Sequence, residues 1–223
     1  MNNENNINVI VRKAVQIYSE DTLVKKLKSG KKLVIKFGAD PSRPDLHLGH
    51  NNILPSRQQF QDINEHDDTL IFKWNNKVKK NDDVYILGDL SFRSPHHISY
   101  YLSRMKGRKH LIIGNHDWYW IRHVENMNEY FETVDYLKMI KFEKKQITLC
   151  HYPMLEWPGS RYVEAESSYL IHGHIHGTQD PEVYGHIKRY QPHALNAGVD
   201  INGFEPVTFE NLKENNNRWY ERG

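Results

Sequence analysis

Short apolar runs that end in metal-ligand residue types recur along this chain, and they restrict its fold more than any other feature. Val84-Tyr-Ile-Leu87 leads into Gly88-Asp89, Leu111-Ile-Ile113 into Gly114-Asn115-His116-Asp117, and Ile147-Thr-Leu-Cys150 into His151. Tyr169-Leu-Ile171 is followed by His172-Gly173-His174-Ile175-His176. Runs of three or four apolar residues have strand length rather than helix length. Helical faces separate the first of them: Leu70, Trp74 and Val78 at four-residue spacing, then Ile98, Tyr101, Leu102 and Met105. Such alternation predicts an α/β architecture. In an open α/β sheet the carboxyl ends of the strands converge on one crevice, so ligands distant in sequence can meet there.

Beyond about residue 130 the rhythm changes to short strand candidates, ending with Ala194-Leu-Asn196 and Pro206-Val-Thr-Phe209. Towards the N-terminus, Ile10, Ala14, Ile17, Leu23, Val24 and Leu27 suggest one or two amphipathic helices stopped at Ser29-Gly30. Leu33-Val-Ile-Lys-Phe37 is a buried-strand candidate, and Gly38–Pro44, with two prolines, is a loop. The expected organisation is an N-terminal extension over 1–44, one domain over 45–212 and a frayed tail over 213–223.

The chain has 223 residues, enough for a substantial core, and a net charge of +2. That balance gives no large basic field, so a nucleic-acid partner is only weakly supported. A single cysteine, Cys150, excludes an intramolecular disulfide and a thiolate zinc finger. With no leader pattern and no apolar run of membrane-spanning length, the expected setting is soluble and cytoplasmic, with no membrane partner. Trp74, Trp118, Trp120 and Trp157 are expected to pack rather than to bind. His172 is expected to serve packing or to support a neighbouring ligand residue.

Histidine is the compositional outlier, with 14 residues. Asp45, His47, Asp89, Asn115, His151, His174 and His176 make a mixed oxygen and nitrogen ligand set without sulfur. It suits Mn, Fe, Zn, Co or Ni better than Ca. Seven ligands exceed one open-site ion, whereas two ions about 3.5–4 Å apart would use them all and hydrolyse a phosphoester.

Asp45-Leu-His47, Gly88-Asp89, Gly114-Asn-His-Asp117, His151-Tyr-Pro153 and Gly173-His-Ile-His176 occur in the order found in the calcineurin-like metallophosphoesterases, which residues 45–210 resemble. The resemblance implies a four-layer αββα sandwich, here with an N-terminal helical extension. It implies a phosphoric ester hydrolase acting on phosphomonoesters or phosphodiesters, a nucleotide being one candidate, through a binuclear centre and a bridging hydroxide. Asp45, His47 and His176 would hold one divalent ion and Asn115, His151 and His174 the other, with Asp89 bridging and manganese the leading metal. His116 would contact the phosphate and protonate the leaving oxygen, and Asp117 would orient its imidazole.

Residues 30–50, which end in His47-Leu-Gly-His50, also resemble the start of the tyrosyl-tRNA synthetase catalytic domain. Asp45-Leu-His-Leu-Gly-His50 suits both families. A synthetase would need a Lys-Met-Ser-Lys-Ser loop and a continued nucleotide-binding fold, which this chain lacks. The alternative reading is therefore a chimeric or degenerate chain with an incomplete metal site and a synthetase-like nucleotide-binding remnant. Seven residues separate Phe37 from Asp45. Either Leu33–Phe37 fills the first-strand position with a longer loop, or the sheet lacks that strand.

Overall fold

The computed structural model describes residues 33–36, 63–91, 96–162, 164, 166–177 and 182–221. Asp45, His47 and His50 lie outside the described residues, as do the expected N-terminal helices. The described residues belong to one compact unit.

The chain is α/β. Strand β1, Leu33–Lys36, pairs in parallel with β2, Asp83–Ile86, in the register Leu33↔Asp83 to Lys36↔Ile86. Of the two alternatives left by the sequence, the strand is formed. This segment, expected as part of an extension, is one of the inner strands of the sheet. Helix α1, Ile63–Lys77, links them and buries Ile71 and Trp74. Helix α2, Ile98–Leu102, buries Ile98, Tyr101 and Leu102 and leads to β3, Arg108–Ile112. After helix α3, Trp118–Ile121, strand β4, Thr133–Asp135, continues the parallel pairing.

A second sheet follows: β5, Leu137–Phe142, antiparallel to β6, Lys145–Cys150, then β7, Ser168–His172. Helix α4, Val183–Tyr190, leads to β8, Ala194–Asn196. The chain returns to the first sheet through β9, Val207–Thr208, antiparallel to β1, and ends in helix α5, Phe209–Glu221. The orders are β4-β3-β2-β1-β9 and β5-β6-β7-β8.

The two sheets share a core in which Tyr85, Leu87 and Ile112 of one meet Ile147, Leu149, Tyr169, Ile171 and Leu195 of the other. Strands buried on both faces require apolar side chains of both parities, which is why these runs are continuous rather than alternating. The outer face of the first sheet packs Val84, Ile86 and Leu111 against Trp74, Tyr101 and Trp120. Leu170 and Ala194 pack outward against Trp157 and Ile187.

The expected tail over 213–223 is a correction: α5 runs to Glu221 and buries Leu212, Asn216 and Trp219. These positions recur every three or four residues, so the run of asparagines sits on a helix with a core-facing stripe. No helix among the described residues is long and apolar enough to cross a membrane.

Candidate metal centre

Strands β2, β3, β6 and β7 each deliver a ligand-type residue on the turn beyond the carboxyl end. After β2, Gly88 takes φ +82° and Asp89 φ +51°. Left-handed backbone lacks a steric penalty at glycine and is tolerated by aspartate more readily than by most residues. His174 (φ +66°) and His176 (φ +52°) are also left-handed. Such conformations cost of order 1–3 kcal/mol each and gather where function over-determines the backbone.

Asp117 ties two ligand turns together. Its fully buried carboxylate accepts from Asp89 N at 2.9 Å, Leu90 N at 2.9 Å, Gly114 N at 2.8 Å and Trp120 Nε1 at 3.0 Å. Burial raises this carboxyl above its ordinary range, although the amides of Gly114 and Leu90 pull the other way. The sequence expectation is that Asp117 orients His116; the bonds it makes are to the backbone of the ligand turns and to an indole. Gly114 is needed for close approach, since a Cβ there would press on the Asp89 carboxylate and amide and on the His151 ring.

The turns converge on His151. Its Nδ1 lies 2.7 Å from the carbonyl of Leu87, which can only accept, so Nδ1 carries the proton. A neutral ring then presents a bare Nε2 lone pair, and acceptor-type atoms crowd that lone pair. Asn115 Oδ1 is at 2.9 Å, Asp89 Oδ2 at 3.3 Å and His174 Nδ1 at 3.3 Å, and Asn115 Oδ1 lies 3.1 Å from His174 Nδ1. The ligand atoms of Asp89, His151 and His174 lie within 4.8 Å of one another. Lone pairs facing one another need a positive charge between them, and a carbonyl-anchored imidazole is how proteins orient a metal-binding nitrogen.

Without a cation, a proton takes that role. Burial disfavours charge on His151, but the Asp89 carboxylate more than offsets it, so the imidazole pKa is raised. Burial acts upward on Asp89, yet the hydrogen bond and charge of His151 and the His116 amide hold its carboxyl below the usual range. Burial, reinforced by His151, lowers His174 and favours its neutral, ligating form. The donor set of two imidazoles, one carboxylate and one amide oxygen fits a borderline divalent ion.

The structure thus brings together Asp89, Asn115, His151 and His174. His116 lies in the same turn, its amide bonded to Asp89 Oδ1 at 2.8 Å. His176 is on the His174 turn, but the residues expected to join it, Asp45 and His47, lie outside the described residues. His172 is fully buried, with Nδ1 donating to the Gly173 carbonyl at 3.0 Å, in keeping with a packing role. Trp74, Trp120 and Trp157 are buried as expected, whereas Trp118 is 47% exposed.

Sequence reading missed the support beneath the His174–His176 turn. Asn196 Nδ2 donates to the His176 carbonyl at 2.5 Å, and Asp200 Oδ2 accepts from Gly177 N at 2.5 Å. Asn216 of α5 in turn grips Asn196, accepting from its amide at 2.8 Å and donating to its carbonyl at 2.9 Å. The string Leu195-Asn-Ala-Gly-Val-Asp200 carried this signal in the sequence without revealing its partners.

These features define an α/β protein with a metal-type ligand group at the carboxyl ends of its strands. The Gene 66 protein of Mycobacterium phage L5 is 32% identical over 185 residues, covering 71% of this chain and 85% of that protein. The chain belongs to the family of that phage protein. No protein-family model matches it. Its N-terminal region is similar to tyrosine–tRNA ligases: 53% identity over 64 residues with that of Chlorobium chlorochromatii and 49% over 61 residues with that of Chlorobaculum tepidum. These matches cover 27% and 26% of this chain and span only 16% and 15% of the ligases. Among solved structures, the protein of unknown function AQ665 from Aquifex aeolicus shares the fold, with a TM-score of 0.60 and 22% identity over 82% of this chain and 98% of that one.

Proposed function

We propose that the chain is a metal-dependent phosphoesterase of the calcineurin-like type, an αββα sandwich that hydrolyses phosphomonoesters or phosphodiesters. The observation that supports this most is the bare Nε2 of His151 faced by Asp89, Asn115 and His174 within 3.3 Å. These residues would hold one divalent ion, manganese first among the candidates; Asp45, His47 and His176, with Asp89 shared, would hold a second by resemblance to the family. When bound, such ions acidify water and neutralise phosphoryl oxygens.

The remaining work falls to the chain. Asp89 Oδ1 is held by the His116 amide, which leaves Oδ2 turned to the ligand group. His116, half-buried beside that group, is assigned the protonation of the leaving alkoxide, a role typically contributing about 10²–10⁴ in rate. Asp117 keeps the Asp89 and Asn115 turns at a fixed separation.

The test is hydrolysis of bis-p-nitrophenyl phosphate by chelator-stripped protein with and without Mn²⁺, alongside His116→Ala and Asp89→Asn. Turnover that requires Mn²⁺, falls by about 10² or more in His116→Ala and disappears in Asp89→Asn supports the reading. Metal-independent turnover, or turnover indifferent to both substitutions, overturns it. The ligase-like N-terminal region favours a second reading, a chain with an incomplete metal site and a nucleotide-binding remnant. It requires a Mn²⁺-induced thermal shift without hydrolysis of any phosphoester, and tyrosine-dependent ATP–pyrophosphate exchange reports whether synthetase chemistry survives.

A further inference from the structure

The turn that carries His174 and His176 takes left-handed backbone at both residues, and the loop after β8 fastens it. In the pairing of β7 with β8, Asn196 lies beside His172, one strand over from that turn. Its fully buried side chain bridges two main-chain groups: Oδ1 accepts from Gly198 N at 2.9 Å and Nδ2 donates to the His176 carbonyl at 2.5 Å. An amide N–H only donates and a carbonyl only accepts, so a carboxamide meets both, whereas a carboxylate or an apolar side chain does not. Asp200 is matched in the opposite sense. Its Oδ2 accepts from Gly177 N at 2.5 Å and its Oδ1 from Ile201 N at 3.1 Å, two donors that call for an acceptor-only group. Gly198 lets both side chains reach the turn, because a Cβ there would press on Asp200 Oδ1 and Asn196 Oδ1.

Helix α5 holds this loop in turn. Beside the grip of Asn216 on the main chain of Asn196, Asn215 Nδ2 donates to Asn202 Oδ1 at 2.9 Å, and the buried Asn202 Nδ2 donates to the Gly198 carbonyl at 2.7 Å. The ligand group thus hangs on two separate supports. Asp117 fastens the Asp89 and Asn115 turns, and Asn196 with Asp200 fastens the His174–His176 turn. Loss of a group that orients a metal ligand typically weakens metal binding 10- to 100-fold, although the group itself never meets the ion.

We propose that Asn196 and Asp200 are positioning residues of the metal centre, which set its affinity by fixing, through the backbone at His176 and Gly177, where the turn places its two imidazoles. The inference rests on the metal-binding part of the proposed function and not on hydrolysis. Its test is calorimetric titration of the chelator-stripped full chain with Mn²⁺ in the wild type, Asn196→Leu, Asp200→Ala and Asp200→Asn. Leu102→Ala, in the core on the outer face of the first sheet, controls for lost stability alone. Amide exchange of Gly177 in the metal-free proteins and Mn²⁺-dependent hydrolysis of bis-p-nitrophenyl phosphate are followed in parallel. Asn196→Leu and Asp200→Ala should each weaken Mn²⁺ binding about 10- to 100-fold, with faster Gly177 exchange in Asp200→Ala. Asp200→Asn loses the charge but keeps one acceptor for the Gly177 amide, so it should retain most of the affinity, and Leu102→Ala should retain all of it.

Wild-type affinity in Asp200→Ala despite faster Gly177 exchange overturns the proposal. So does an equal loss in Asp200→Asn, which would make charge rather than position the cause, or an equal loss in Leu102→Ala, which would make it stability. Should Asn196→Leu fail to fold, the two Asp200 variants decide alone. If the expected losses appear while the wild type hydrolyses nothing, the positioning role stands and the phosphoesterase reading falls. If the wild type hydrolyses the diester with Mn²⁺ and Asp200→Ala binds Mn²⁺ and turns over unchanged, the reverse is true. A wild type that binds no Mn²⁺ overturns both.

Discussion

Asp117 shows how one side chain can govern a site it does not enter. It satisfies three buried backbone amides and an indole, and each donor left without an acceptor costs roughly 1–3 kcal/mol. Asp117→Ala should therefore destabilise the protein by about 3 kcal/mol or more in urea denaturation, and should weaken Mn²⁺ binding because the Asp89 turn loses its anchor. Unchanged stability would refute the role given to it. Gly114→Ala tests the same turn from the steric side: the added methyl meets Asp89 and His151. The substituted protein is expected to fold yet bind Mn²⁺ at least about tenfold more weakly, since small displacements of ligands are costly; calorimetry would show it.

Strand β7 carries a titratable residue in its core. Burial lowers His172 from 6.5 to about 4. The unfolded chain therefore binds the proton first, between pH 6.5 and 4, and stability falls as pH drops through that window. The loss reaches about 3 kcal/mol at its lower end. Urea unfolding at pH 7 and 4.5 should show this loss, and His172→Gln should flatten it; an unchanged slope would assign the acid sensitivity elsewhere. Asn216 serves β8 as a substitute for a neighbouring strand, meeting both the amide and the carbonyl of Asn196. Asn216→Leu, similar in size, leaves both groups unmet and should cost about 2–4 kcal/mol. Elements of this kind mark the limit of sequence reading. β2, β3, β6 and β7 were legible because continuous apolar runs ended in Gly-Asp, Gly-Asn or His. β5 was not, because Leu137 and Met139 are exposed while Ile140 and Phe142 on the other parity are half-buried. Gly185 and His186 disguised α4, and the asparagines disguised α5. The convergence of Asp89, Asn115, His151 and His174 could be read from strand ends, whereas the Asn196–Asn216 pair depends on a contact across twenty residues.

For the whole molecule, a metal that binds only the folded state is a stability term. Mn²⁺ at a hundredfold excess over its Kd should add about 2.7 kcal/mol, a rise in Tm of about 5–10 °C for a chain of this size. A chelator should reverse it, and His151→Ala should abolish it.

The Asn216 clasp has one more effect. In the four-stranded sheet it occupies outward-pointing main-chain groups of one border strand, β8, while the described residues leave the far border, β5, with Leu137 and Met139 facing solvent. A sheet sealed on one side and open on the other can recruit only one neighbour by strand addition. A β5-to-β5 contact between two copies would therefore close at two subunits instead of growing into a filament.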